Sequence, residues 1–333
     1  MHTARTRKSL WLPPFGRAAS QPAFTLIELV VVLTIVAILA SLTLGGLAVT
    51  RQRARIDKTK STIRKIHELI VPHYESYLRR RVPLPTGLTS GATIAQDRLV
   101  GTRALTLFEM PDSWEDVAIS GITTTGTLPS ALTVPVFAWN GVTRAYAEYQ
   151  RAMLLTSGPG FRSRFPSSEC LYMIVSRGLG EPDVMEQFRA DEIGDVDGDG
   201  APEFIDGWGQ PIAFIRWPVG FDSPIQFRNA ALQPDPFDPF RVSTAVAYPS
   251  ASQQDYAATP LIFSGGPDGA SSKYGISTGT VIWHTLFVTP NSTFSTPQYT
   301  LRVEHASPLK IAGARDDPTV AADNVTNHDL FAK

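Results

Sequence analysis

The chain has 333 residues, 43% of them hydrophobic, which provides for one large or two modest cores and excludes a disordered or wholly membrane-embedded protein. A formal net charge of −1 leaves no global basic surface, so nucleic acid is excluded as a partner. Cys170 is the only cysteine, so no intramolecular disulfide and no cysteine-based zinc or iron–sulfur site can form, and an exported body needs another staple.

Residues 1–23 are basic, with Arg5, Arg7, Lys8 and Arg17 and no acid. The apolar run follows this segment, whereas a secretory signal peptide carries its apolar core ahead of the cleavage site. Leu29 to Thr50 is free of charge. As a helix this stretch spans roughly 33 Å at ~1.5 Å per residue, enough for a hydrocarbon core of about 30 Å. A plain signal anchor is the simplest reading. Glu28 argues against it, because a carboxylate in a membrane helix is costly and marks a designated partner.

The segment "AFTLIELVVVLTIVAILA" resembles the processing and methylation signature of type IV pilins and of the pseudopilins of type II secretion systems. The resemblance implies that a prepilin peptidase cuts between Ala23 and Phe24, that Phe24 is then N-methylated, and that Glu28, at the fifth mature position, pairs with the terminal amine of a neighbouring subunit. Opposite charges offset each other's desolvation in an apolar setting where neither is tolerated alone. The family usually has Gly before the cut; Ala23 is a small substitute expected to leave cleavage intact.

Beyond Thr50 the chain turns charged but keeps Ile56, Ile63, Ile66, Ile70, Tyr74 and Tyr77 on one helical stripe. This pattern predicts the solvent-side half of one long helix whose stripe packs on a sheet. Pro72 removes a backbone donor and is expected to kink the helix or open its last turns. His67 and His73 lack the spacing of a zinc-protease helix and read as helix-surface residues.

From residue 83 to 190 short helices are predicted in "TRALTLFEMPDSWED", ending near Met110, and in "AEYQRAMLLTS" and "SSECLYMIVSR"; "LYMIVSR" also fits a buried strand. No phosphate-cradling loop occurs there. The chain's 25 Gly and 26 Pro concentrate after residue 82 and point to a loop-rich body with short strands.

"DVDGDGAPEFID" has the spacing of a twelve-residue calcium loop. Asp195, Asp197 and Asp199 fall at positions 1, 3 and 5, Gly200 permits the turn at 6, the Ala201 carbonyl is at 7 and Asp206 at 12. Glu203, at position 9, could bind directly or through water. Asp at position 12 resembles the dockerin type of loop. So many carboxylates without a basic neighbour would repel one another as a merely solvated turn, and a structural Ca2+ is the expected staple. The next segment, "DGWGQPIAFIRWP", resembles the Trp-Gly-x-Pro segment opening the sheet of major pseudopilins, with Asp206, Trp208, Gly209 and Pro211 matching. It predicts a tight turn, Trp208 packed against the helix, and a strand starting at Pro211. "ATPLIFSGGPDG" resembles that family's second hallmark, which implies a possible second metal site at Asp268 and Asp323.

The expected fold is α+β and pilin-like: a long N-terminal helix packed on a small antiparallel sheet, with a loop-rich, calcium-stabilised C-terminal body. The expected divisions are a leader at 1–23, the assembly half of the helix at 24–50, its amphipathic half at 51–82, an inserted region at 83–190 and the sheet and calcium-loop body at 191–333. The expected role is structural, not enzymatic: a subunit of a type II secretion or pilus-like filament. Its partners would be the prepilin peptidase, other pilin-like subunits and the inner membrane, which it crosses once with its body in the periplasm before entering a filament. The alternative is a membrane-tethered, calcium-dependent binding protein that borrows pilin-type export.

Overall fold

The computed structural model describes residues 24–82, 91–118, 143–156, 165–180, 183–218, 220–227, 232–241, 257–268, 284–289, 298–303 and 323–332. Two compact units emerge, residues 1–51 and 52–333. The architecture is α+β, a long N-terminal helix and small antiparallel sheets, as the sequence predicts. Helix α1 runs Leu26–Ser76 and tightens into a 3-10 turn at Tyr77–Arg79. Pro72 stands in its last turns, close to the end of the helical ladder.

In the second unit the predicted stripe is the buried face of α1: Ile63, Ile66, Ile70, Tyr74 and Tyr77 are buried and Ile56 is half-buried. Thr59 fills the gap in the stripe between Ile56 and Ile63 and is fully buried with Thr62. Each hydroxyl donates to a carbonyl one turn back, or to Glu192 in the case of Thr62, so neither is buried without a partner.

Four helices follow: α2 (Gly91–Glu109), α3 (Trp114–Ala118), α4 (Arg144–Thr156) and α5 (Pro166–Met173). Helix α5 begins on a proline, whose missing donor costs nothing in the first turn. It continues as a π-helical turn, Ile174–Gly178, where the Leu179 amide reaches back five residues to the Ile174 carbonyl. "LYMIVSR" is therefore helical, not a strand. Gly178 is required there, since a Cβ would lie 1.8 Å from the Tyr149 hydroxyl oxygen. That hydroxyl donates to the Glu109 carbonyl and ties the middle of α4 to the end of α2.

Strands β1 (Ile193–Gly194) and β2 (Glu203–Phe204) form a short antiparallel pair. A three-stranded antiparallel sheet has β4 (Leu261–Ser264) between β3 (Ala213–Ile215) and β7 (Val325–Thr326). Between β4 and β7 in sequence, β5 (His284–Thr289) and β6 (Gln298–Val303) pair antiparallel with each other. Helix α6 (Asn327–Leu330) ends the described chain. Strands β3 and β4 are buried throughout because their alternating side chains feed two cores. Phe214 and Ile262 join the larger cluster, which also holds the α1 stripe, Leu105, Tyr149 and Leu171. Ala213, Ile215, Leu261 and Phe263 join Phe221 in a smaller one. Residues of α2–α5 and of the sheet thus share one core.

Arg216, just past β3, is fully buried. Its guanidinium pairs with Asp112 at 3.3 Å and Asp116 at 3.0 Å and donates to the Met110 carbonyl at 2.6 Å, tying the sheet to the α2–α3 connection. At the other edge, Asn327 accepts from the Ile262 amide, donates to the Pro260 carbonyl and reaches His67 Nδ1. The His67 ring stacks on Phe331 at 3.7 Å. Both His67 and His73 are half-buried with named partners, not the surface residues the spacing suggests: Asn327 and Phe331, distant in sequence, pack on His67, and the Tyr77 hydroxyl, one turn on, meets His73.

Removing Arg216 leaves two buried carboxylates uncompensated, so Arg216→Ala should cost about 3–5 kcal/mol in denaturant unfolding; a loss below about 1 kcal/mol would contradict this tie. His328 is fully buried between Ser223 and the Thr259 carbonyl, and burial lowers its pKa to about 4, against the opposing pull of that carbonyl and of Asp329. Between pH 6.5 and 4 the unfolded chain binds the histidine proton and the folded chain does not, so stability falls as pH falls through that window. Unfolding of His328→Gln and wild type across pH 7 to 4 should converge at the acid end; parallel curves would refute the assignment.

Candidate functional site

The first unit carries one polar device at the start of an apolar helix. Thr25 and Glu28 form a reciprocal cap: the Glu28 amide donates to Thr25 Oγ1 at 3.3 Å, and the Thr25 amide and hydroxyl donate to Glu28 Oε2 at 2.9 and 2.8 Å. This is the Ser/Thr-x-x-Glu capping box that satisfies amides left open by the first helical turn. Both bonds to the carboxylate fall on Oε2, so Oε1 stays available to a second donor. Further along, the hydroxyls of Thr34, Ser41, Thr43 and Thr50 each donate to a carbonyl three or four residues back. The helix therefore asks no hydrogen bond of its surroundings, as a bilayer requires. It is long and apolar enough to cross a membrane, and none of its apolar window is buried by the described residues. Phe24 is exposed, and Ala23 lies outside the described residues.

In the second unit the acidic loop connects β1 to β2, a hairpin and not a helix–loop–helix. Asp195 organises it by accepting from the amides of Gly198, Asp199 and Gly200 at 2.7, 3.2 and 3.0 Å. Gly198 and Gly200 take positive φ, +76° and +92°, which lets the loop curl around that carboxylate. Asp199 accepts from the Ala201 amide. Among the described residues two groups of carboxylates lie close enough to hold a metal ion: Asp195, Asp197 and Asp199, and Asp197, Glu203 and Glu169, each within 4.8 Å. Asp197 belongs to both.

Glu203 follows from β2's alternation. Phe204 turns to the core against Tyr172 and Phe188, so its neighbour Glu203 takes the opposite side; both are fully buried. Glu203 Oε2 accepts from the Val196 amide, while Oε1 has no hydrogen-bond partner among the described residues. Burial above all, against the lowering effect of the Val196 amide and with the help of Glu169, Asp197 and Asp195, pushes this carboxyl up to about 8. Two like charges at that separation repel by roughly 3 kcal/mol at an effective dielectric near 20. Glu169, on α5, is buried and accepts from the Trp114 indole N–H. Sequence spacing could not find it, because it lies far upstream of the loop; its only signal is a carboxylate among residues that are otherwise buried in α5.

Asp206, expected at position 12, is in neither group. It is buried, and its oxygens accept from the Trp208 amide at 2.8 Å, the Gln210 amide at 2.9 Å and the Ser264 hydroxyl at 2.6 Å. It thereby holds the "DGWGQP" turn closed and links it to β4. Trp208 is half-buried with its indole N–H on Gln52 of α1, and Pro211 bridges Ile205. For the second expected pair, Gly266 stands so close to Asp323 that a Cβ there would meet the Asp323 carbonyl oxygen at 2.7 Å. The Asp323 backbone thus runs beside the turn Gly266–Asp268. The Asp268 side chain lies outside the described residues.

A family model described as the prokaryotic N-terminal methylation motif matches residues 19–44, so the chain carries the signature of type IV pilins and pseudopilins. Comparison with curated proteins and with solved structures returns no match.

The turn after Asp206 docks on α1 backbone to backbone. The Gly207 amide donates to Thr59 Oγ1 at 2.9 Å, and a Cβ on Gly207 would stand 2.3 Å from the Arg55 carbonyl oxygen. Helix backbone cannot give way as a flexible side chain can. Gly207→Ala should therefore destabilise the body by about 1–3 kcal/mol or more; an unchanged melting temperature would refute the close approach.

Proposed function

We propose that the chain is a pilin-like structural subunit, a pseudopilin-type component of a type II secretion or pilus-like filament. The observation that carries this reading is the coincidence of the methylation motif with an unburied apolar helix whose first turn carries Glu28. After cleavage between Ala23 and Phe24 by a prepilin peptidase and methylation of Phe24, the helix is stored in the inner membrane with the body in the periplasm. On assembly it packs against other pilin-like subunits. Glu28 then pairs with the terminal amine of a neighbour, using the oxygen its capping box leaves over. A structural Ca2+ in the acidic loop staples a body that has no disulfide. The function requires no catalytic step.

Glu28→Gln isolates the charge, because glutamine preserves the capping box. Crosslinking between subunits in membranes, with secretion measured alongside, should fall at least tenfold in this variant, the range of losing a buried ion pair. Unchanged crosslinking and secretion would reject assembly and leave a membrane-tethered, calcium-dependent binding protein as the reading.

A further inference from the structure

We infer that the cation site of the acidic loop is closed by Glu203 and by Glu169 of α5, and not by Asp206. The ion would be a divalent, oxygen-preferring cation of the calcium type, bound at Asp197, which the loop's own group with Asp195 and Asp199 shares with the buried group of Glu203 and Glu169, each group within 4.8 Å. This rests on the calcium reading above and changes its ligand set. In a helix–loop–helix, position 12 swings back to the ion because the exiting helix carries it there. Here the loop leaves as strand β2, so the first side chain able to return is Glu203, at position 9, while Asp206 is committed to the Trp208 and Gln210 amides and Ser264.

Two observations point to a ligand and not to an acidic turn. Glu203 is 0% exposed, yet its Oε1 has no hydrogen-bond partner among the described residues. A buried carboxylate oxygen is not left so without a cation or a proton to meet it. Asp199 Oδ2, a member of the neighbouring group, is likewise buried and unpartnered. Glu169 is oriented toward this cluster by the Trp114 indole N–H, the kind of outer contact that fixes a ligating carboxylate. With the ion bound, the β1–β2 loop and α5 are clamped together, so the ion joins the acidic loop to a helix of the 83–190 region.

The test uses the full chain in detergent, stripped by chelator and titrated with calcium by calorimetry. Glu203→Gln and Glu169→Gln should each weaken calcium binding at least tenfold, while Asp206→Asn stays within about twofold of wild type. Terbium in place of calcium should give tryptophan-sensitised emission, and Trp114→Phe should remove most of it. This second readout keeps the site testable if a glutamine variant fails to fold. Wild type that binds no calcium overturns both this inference and the calcium reading. Wild type that binds calcium, with Glu203→Gln and Glu169→Gln equally competent or Asp206→Asn as damaging as either, overturns this inference alone. Terbium emission unchanged in Trp114→Phe also overturns it.

Discussion

Helix α1 joins an apolar half, long and apolar enough to cross a membrane, to a half that carries the body. Its first half presents apolar side chains that none of the described residues covers, and its hydroxyls are returned to its own carbonyls. Its second half presents a narrow buried stripe, interrupted by Thr59 and Thr62 where the body requires polar anchorage. Apolar transfer drives burial of that stripe, but the two threonines set which loops lie on it. Thr59 receives the Gly207 amide, and Thr62 and Lys65 hold Glu192, just ahead of β1.

From those anchors the body is built by buried polar ties laid over a shared core. Glu192 also accepts from the Arg189 amide, so the chain entering the acidic loop is fixed at its start. Asp206 fixes its exit, through the turn it caps and through Ser264. Arg216 then carries the sheet to the α2–α3 connection. In a chain without disulfides such ties give specificity of arrangement, since a buried charge misplaced by a register slip loses every partner at once. The carboxylate cluster of Glu169, Asp197 and Glu203 stands apart among the described residues as a group close enough together to hold a metal ion.

What was legible in the sequence followed from local periodicity. The α1 stripe, the methylation motif, the helix ending near Met110, those at Arg144–Thr156 and Pro166–Met173, and the strands after Pro211 and Pro260 all declare themselves within a few residues. The spacing of three and four also runs through Thr59, so its burial could have been anticipated. Glu169, Arg216 and the packing of Asn327 and Phe331 against His67 could not, because each depends on segments tens to hundreds of residues apart. Asp206 illustrates the limit most clearly. A twelve-residue template assumes a helix at its exit, and nothing in the spacing distinguishes that from a hairpin. The exit strand and the Ser264 hydroxyl together give this carboxylate different work.

That one helix serves both as membrane store and as organiser of the body is tested most directly by the mass of the mature chain recovered from membranes of cells with prepilin processing. A pilin-like subunit should have lost residues 1–23, begin at Phe24 with one added methyl group, and retain the whole of α1. A chain that keeps residues 1–23, or that is cut beyond Thr50 and released without its apolar helix, would contradict it.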